Sequence, residues 1–489
     1  MKFRYSFLLL SAVLLASCGG TGSELPAVPA DTEQTEAAAA ETAEAPRLDS
    51  LPQDLDFGGA AVMIYDDKDL PIKDYHAEET GDIVDDALFA RNRAVEERLN
   101  ITLDFFDSEG AYEKREVFAG GIRQSVMANE GAYDIAAGYS LSTASLASGG
   151  YLANLVNTEY LDFSMPWWSD SLIDCLCVQN HLYFVSGDIS TNTLGGSFCV
   201  FFNKSMQQTY DVGDPYALVD AGKWTLDALL SMAKGIYEDV NANGKKDKED
   251  RFGLSANSTS FDNLYFSCGM NMIDHLPDGS AAVSADWNGE RAVSLIGILC
   301  DAFHNGTDAY FSDESEGSAK ENFLNGNSVF MLAGLSLAAT TLRDADFDYG
   351  IVPAPKWDEE QEQYHTVAAY TNGMYCIPAD AKDLSLSSAV MEAMAMESYY
   401  TLAPAFFETA MKVKYTSDND SARMFDIIKG SVMYDFGRMF SQSALDSIPG
   451  AFRNAVVSNQ SNWTSACEKT LPKFEKLLSE LTETLVSFD

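Results

Sequence analysis

Basic side chains are scarce in this chain. Lys and Arg together number 32 against 74 Asp and Glu, a formal net charge of -42 over 489 residues. No basic face is on offer to neutralise phosphates, which excludes nucleic acid as a partner. The same deficit excludes a peripheral helix held to anionic lipid. The acidic excess reads as a solvated surface that keeps the protein soluble, and no cationic solute is inferred from it. Histidine is also sparse: His76, His181, His275, His304 and His365 are scattered, and no H-E-x-x-H pattern occurs. P-loop and dinucleotide fingerprints are missing, and Gly334-Leu335-Ser336-Leu337-Ala338 lacks the last glycine of a nucleophile elbow. There is no CxxC pair, and Cys175-Leu176-Cys177 has no second pair at zinc spacing. Beside Cys18, seven cysteines remain, several inside apolar runs such as Phe198 to Phe202. They read as small buried hydrophobes, so the fold must stand on its core rather than on disulfides.

What is present begins at the N-terminus. Lys2 and Arg4 precede the apolar stretch Phe7 to Leu15, and Leu15-Ala16-Ser17-Cys18 closes it with small residues before a cysteine. That is the layout of a secretory signal, too short for a permanent membrane span. The cysteine at the cleavage position resembles the bacterial lipobox. The resemblance implies a signal over 1–18, lipidation of Cys18 and an extracytoplasmic protein anchored to the cell membrane. Residues 19–53 are rich in Ala, Thr, Glu, Pro and Ser, and are expected to form a disordered tether because they cannot bury enough surface to offset ordering entropy. No later window approaches the length of a transmembrane helix.

The full chain has 46% hydrophobic content, and the remainder is long enough for two lobes with real cores. Val62 to Tyr65 reads as a buried strand, Ile83 to Leu99 as an amphipathic helix, and Ile101 to Phe105 as an alternating strand. A helix over Val117 to Met127 and a short strand at Tyr133 to Ala137 follow. Such strand–helix–strand units predict an α/β fold with a mostly parallel sheet, binding ligand beyond the carboxyl ends of its strands. A second body opens near Gly195-Gly196, with strands at Phe198 to Phe202, Ser328 to Leu332 and Tyr349 to Pro353. Between them a helix is predicted over Leu226 to Tyr237, capped by Thr225.

The sharpest local motif runs from Asp239 to Asp250. Asp239, Asn241, Asn243, Asp247 and Asp250 supply side-chain oxygens at calcium-loop spacing, Gly244 takes the sharp turn, and Lys245 would use its carbonyl. Aspartate at the closing position, in place of glutamate, shortens the bidentate ligand. The expectation is a structural calcium site rather than a catalytic one; the alternative is a hydrophilic turn without metal.

A family resemblance runs through the same region. Phe201-Phe202-Asn203-Lys204, Lys223-Trp224-Thr225-Leu226-Asp227, the calcium-like loop and Arg251-Phe252-Gly253-Leu254 follow in order. Pro166-Trp167-Trp168, His181-Leu182-Tyr183, Asp348 to Pro355 and Asp435-Phe436-Gly437 agree with them. This pattern resembles the family 1 extracellular solute-binding proteins of bacterial ABC importers, the group that includes sugar-binding lipoproteins. The resemblance implies a two-lobe periplasmic-binding-protein-like fold with hinge strands between the lobes. Lobe I is expected over 54–195 plus 372–430, and lobe II over 196–371 plus 431–489. Crossings are expected near Asn192 to Cys199 and Tyr370 to Gly373. It also implies a small polar solute, most readily a sugar or oligosaccharide, passed to ABC permease transmembrane subunits without covalent chemistry. Aromatic faces and amide or carboxylate groups suit a sugar, so Tyr65, Asp66, Tyr139, Trp168, Asp188, Asn192, Tyr370 and Asn372 are the expected ligand contacts. Each has a packing alternative, and Trp224 is assigned to packing outright. Gly334 is followed by Leu335-Ser336-Leu337, where sugar binders often carry an aromatic. A peptide or other non-sugar solute, and a surface-anchored glycoside hydrolase, therefore stay open as alternatives.

Overall fold

The computed structural model describes residues 47–313, 316–342, 345–406 and 419–488. The expected signal over 1–18, Cys18 and residues 19–46 of the tether lie outside the described residues. Strands follow the chain as β1 (Ala60–Asp67), β2 (Ile101–Ser108), β3 (Ile135–Tyr139), β4 (Phe198–Asn203), β5 (Phe252–Asn257), β6 (Ile273–His275) and β7 (Ala281–Val283). Then come β8 (Ala309–Ser312), β9 (Ser328–Gly334), β10 (Tyr349–Pro353), β11 (Thr366–Val367), β12 (Gly373–Cys376) and β13 (Val432–Met433). Among the described residues no helix is long and apolar enough to cross a membrane.

Two sheets organise the body. One has the order β12-β3-β1-β2, with β1 parallel to both neighbours and β12 antiparallel to β3. The other has the order β10-β4-β9-β5-β8, in which β5 runs parallel to β8 and β9. Central strands such as β4 and β5 are buried at every residue because helices cover both faces, which explains their unbroken apolar runs. Close packing leaves no room for side chains at two glycines. A Cβ on Gly253 would lie 1.9 Å from the Ala233 carbonyl, and one on Gly121 would lie 2.3 Å from the Tyr65 hydroxyl.

Local signals placed the helices. Ile83–Leu99 starts where Asp82 accepts the Val84 amide at 3.0 Å and stops at Asn100, whose φ of 50° is left-handed. Thr225 caps its helix through the Ala228 amide at 3.2 Å, but that helix is Leu226–Ala233, shorter than expected. Gly235, at φ 79°, follows directly and turns the chain away.

Two expectations are corrected. The tether does not extend to residue 53: Leu51 is buried in the core beside β1, and Ser50 Oγ donates to Glu392. Leu48 and Leu51 are the first large apolar side chains after the polar stretch; Leu51 docks, while the Leu48 side chain stays half-exposed. The stretch 419–430, expected with lobe I, instead packs its helix Asn419–Gly430 against β10 of the five-stranded sheet. The passages from β3 to β4 and from β10 to β12 run between the sheets and are hydrogen-bonded to each other. Ala369 N donates to Gly196 O at 2.9 Å, and Ser197 bridges Ala368. Six of the seven described cysteines are buried, Cys177 is half-buried, and all seven are free thiols.

Candidate ligand-binding cleft

Three strands, drawn from both sheets, end on one cavity of about 260 Å³. Tyr139 closes β3, Asn257 closes β5 and Gly334 closes β9, and all three line it. Tyr370 and Thr371 from the second passage, with Gly196 from the first, complete the wall beside the hinge. Thr259, Lys320, Ser336, Thr340, Thr341 and Arg438 supply the remaining polar side chains. Among the described residues, no Asp or Glu lines this cavity.

Arg438 organises one side of it. Its guanidinium lies 3.7 Å from the Tyr370 ring centroid, and its Nη1 donates to the Ala368 carbonyl at 2.7 Å. The backbone amide of Arg438 donates to Asp435 at 2.8 Å, the cap of the short helix Phe436–Met439. Behind it, Asp262 lies 4.0 Å from Arg438 and takes a two-pronged ion pair from Arg453. Burial raises the Tyr139 and Tyr370 phenols above their ordinary values, so both hydroxyls stay neutral donors. Asn257 is 2% exposed and its side-chain oxygen has no partner, which leaves a buried acceptor at the cavity wall.

The eight expected ligand contacts scatter. Tyr139 and Tyr370 line the cleft. Trp168 and Asp188 line a different cavity of about 340 Å³, with Lys429 3.8 Å from Asp188. The Trp168 indole N–H is spent on Glu392 at 2.9 Å, beside that of Trp167 at 3.1 Å. Tyr65 is core: it stacks on Phe106 and donates to Ser108 Oγ at 2.8 Å. Asn192 is buried and ties the Ile72 amide and carbonyl at 3.1 and 2.6 Å, a hinge clamp rather than an open ligand group. Asn372 is fully buried with both side-chain polar atoms unpartnered. Asp66 sits apart, in a recess with His76 and Asp107; burial, then the Asp107 charge, pushes its carboxyl up to about 8. Trp224 is core, with its N–H on the Pro353 carbonyl at 2.7 Å.

The loop 239–250 is organised by its own side chains. Asp239 accepts the Asn243 and Gly244 amides at 3.1 and 2.8 Å, and Asn243 accepts that of Lys245 at 2.7 Å. Gly244 has φ 69°, as the sharp turn requires. Asp250 is wholly buried, and its Oδ1 has no partner.

No family model matches the chain, and no curated protein does. Solved structures do resemble it. The cyclic α-maltosyl-1,6-maltose binding protein from Arthrobacter globiformis is 12% identical, with 87% of this chain and 100% of that one covered at a TM-score of 0.55. The galacto-N-biose/lacto-N-biose I-binding protein of the ABC transporter from Bifidobacterium longum, in complex with lacto-N-biose, is 12% identical, covering 86% and 98% at a TM-score of 0.55. The maltose/maltodextrin-binding domain from Bdellovibrio bacteriovorus, bound to maltotriose, is 13% identical, covering 87% and 99% at a TM-score of 0.52. At these identities the likeness speaks to fold, and this chain has the two-lobe α/β fold of the solute-binding proteins of ABC transporters.

Proposed function

We propose that the protein is the extracytoplasmic substrate-binding component of an ABC importer, holding a carbohydrate in the cleft between its sheets and delivering it to permease transmembrane subunits. The cleft lining carries this reading: two tyrosine rings, amide and hydroxyl side chains and an unpaired buried acceptor at Asn257. Aromatic rings cover the apolar face of a sugar, and the polar groups meet its hydroxyls. Binding proteins for oligosaccharides with the same fold add support. A glycoside hydrolase requires two carboxylates across the scissile bond, and among the described residues the cleft lining has none. We read the protein as a non-enzymatic binder held at the cell membrane by lipid on Cys18; fatty-acid labelling that persists in Cys18→Ala would remove the anchor.

A thermal-shift screen against maltodextrins, other oligosaccharides and short peptides tests the solute class. Ligand that binds only the native state raises Tm, by an amount equivalent to about 2.7 kcal/mol at a hundredfold excess over Kd. An oligosaccharide response without released reducing ends is expected. A response to peptides alone overturns the sugar reading, and slow release of reducing ends overturns the non-enzymatic one.

We also infer a structural calcium ion in the loop 239–250. Asp239, Asn241, Asn243, Asp247, Asp250 and the Lys245 carbonyl would hold it, and the unpaired Asp250 Oδ1 fits an oxygen-seeking cation. Chelator should lower Tm by several degrees, added Ca²⁺ should restore it, and Asp250→Asn should abolish the response. A Tm indifferent to chelator defeats the inference.

A further inference from the structure

Asp66 and Asp107 are direct partners across the parallel pair β1 and β2, so the register sets two carboxylates side by side on one face. Like charges directly opposite are destabilising in a sheet. Asp66 is 1% exposed, and neither of its carboxylate oxygens has a hydrogen-bond partner. Both residues line one recess of about 160 Å³, together with His76. The His76 ring packs on Phe105, two residues before Asp107, with centroids 4.7 Å apart, and its Nε2 lies 2.7 Å from Asp107 Oδ1. One ligand atom from each of Asp66, His76 and Asp107 falls within 4.8 Å of the others. Lys68 and Lys73 border the same recess, but the Lys73 ammonium is engaged 2.8 Å from Asp85.

We propose that Asp66, His76 and Asp107 form a binding site for a divalent transition metal of the zinc class. A buried carboxylate with no hydrogen-bond partner on either oxygen needs a proton or a cation, and the neighbouring imidazole decides which cation suits. Imidazole nitrogen with carboxylate oxygens favours zinc-type ions over calcium or magnesium, which prefer all-oxygen shells. Bonds of about 2.1 Å in a tetrahedral shell place ligands roughly 3.4 Å apart. An ion would therefore draw the half-exposed His76 and Asp107 inward onto the fixed Asp66. Three protein ligands leave a fourth position open to water. The site is separate from the calcium-type loop and does not depend on the solute-binding reading.

Chelator-stripped protein titrated with ZnCl2 by calorimetry should bind one equivalent that His76→Ala and Asp66→Asn each weaken by at least about tenfold. Loading with Co²⁺ should give visible absorption that His76→Ala removes. Because His76 is partly exposed, this variant should keep the Tm of the stripped wild type, which separates loss of a ligand from loss of the fold. Calcium titration of the same variant should be unchanged. Absence of zinc uptake, or uptake equal in wild type and His76→Ala, overturns the site and leaves a proton shared by Asp66 and Asp107 as what relieves their repulsion.

Discussion

Tyr370→Ala should weaken binding of the responding oligosaccharide by roughly tenfold to a hundredfold, about 1.4 to 3 kcal/mol. Tyr370 lines the cavity at the strand ends, and the Arg438 guanidinium 3.7 Å from its ring fixes its position. Truncation removes the apolar platform and frees Arg438, whose remaining side-chain contacts are the Ala368 carbonyl at 2.7 Å and Asp262 at 4.0 Å. Tyr370→Phe keeps the ring and should recover most of the affinity. Trp168→Ala provides the contrast, because that indole faces another cavity and bonds Glu392 inside the body. It should lower stability and leave the affinity of the folded fraction near wild type. Calorimetric titration of the three variants decides the matter. Equal affinity in Tyr370→Ala and wild type would place the solute elsewhere.

That contrast shows what the sequence could and could not reveal. Local signals carried far: the first long helix spans the Ile83 to Leu99 that its amphipathic pattern predicted, and β10 spans the residues anticipated for it. Strand ends were legible too, and the rule that ligands gather there found Tyr139. Side-chain direction was not legible. Tyr65 and Asp66 are adjacent on β1, and alternation sends one into the aromatic core and the other into a recess beside Asp107. Trp168 looked like a sugar platform until Glu392, more than two hundred residues later, claimed its N–H. Asn257, Ser336, Thr340 and Arg438 carried no local mark, because only the packing of distant strand ends brings them together. Arg438 stood one residue beyond the Asp435-Phe436-Gly437 motif, whose aspartate caps the turn that presents it.

Arg91→Ala should destabilise the protein by roughly 3 to 5 kcal/mol, the cost of stripping a buried charge of its partner. Arg91 is wholly buried, and its guanidinium donates to the Tyr75 carbonyl at 2.8 Å and the Asp74 carbonyl at 3.3 Å. A longer contact at 3.4 Å reaches the Ile189 carbonyl, at the start of the passage between the sheets. The Asp74 carboxylate fastens the same passage, accepting the Thr191 amide at 2.6 Å and the Thr191 hydroxyl at 2.9 Å. Without Arg91 that carboxylate stays buried and loses its compensating cation. Burial already raises the Asp74 carboxyl, while Arg91 works against the rise. A folded-state pKa above the unfolded one means the native protein binds the proton more tightly. Stability from this group is therefore greatest at low pH and is lost as pH climbs through the folded pKa. Removing Arg91 pushes that pKa higher and widens the interval over which stability falls. The deficit of Arg91→Ala, measured by urea unfolding, should accordingly be larger at pH 8 than at pH 5. The deficit should shrink in an Asp74→Asn background, where no charge is left stranded. A deficit of equal size at both pH values and in both backgrounds would reduce Arg91 to a donor of ordinary hydrogen bonds. The hinge passage would then be held by Asn192 and the Ser197–Ala368 bridge without an electrostatic contribution from beneath.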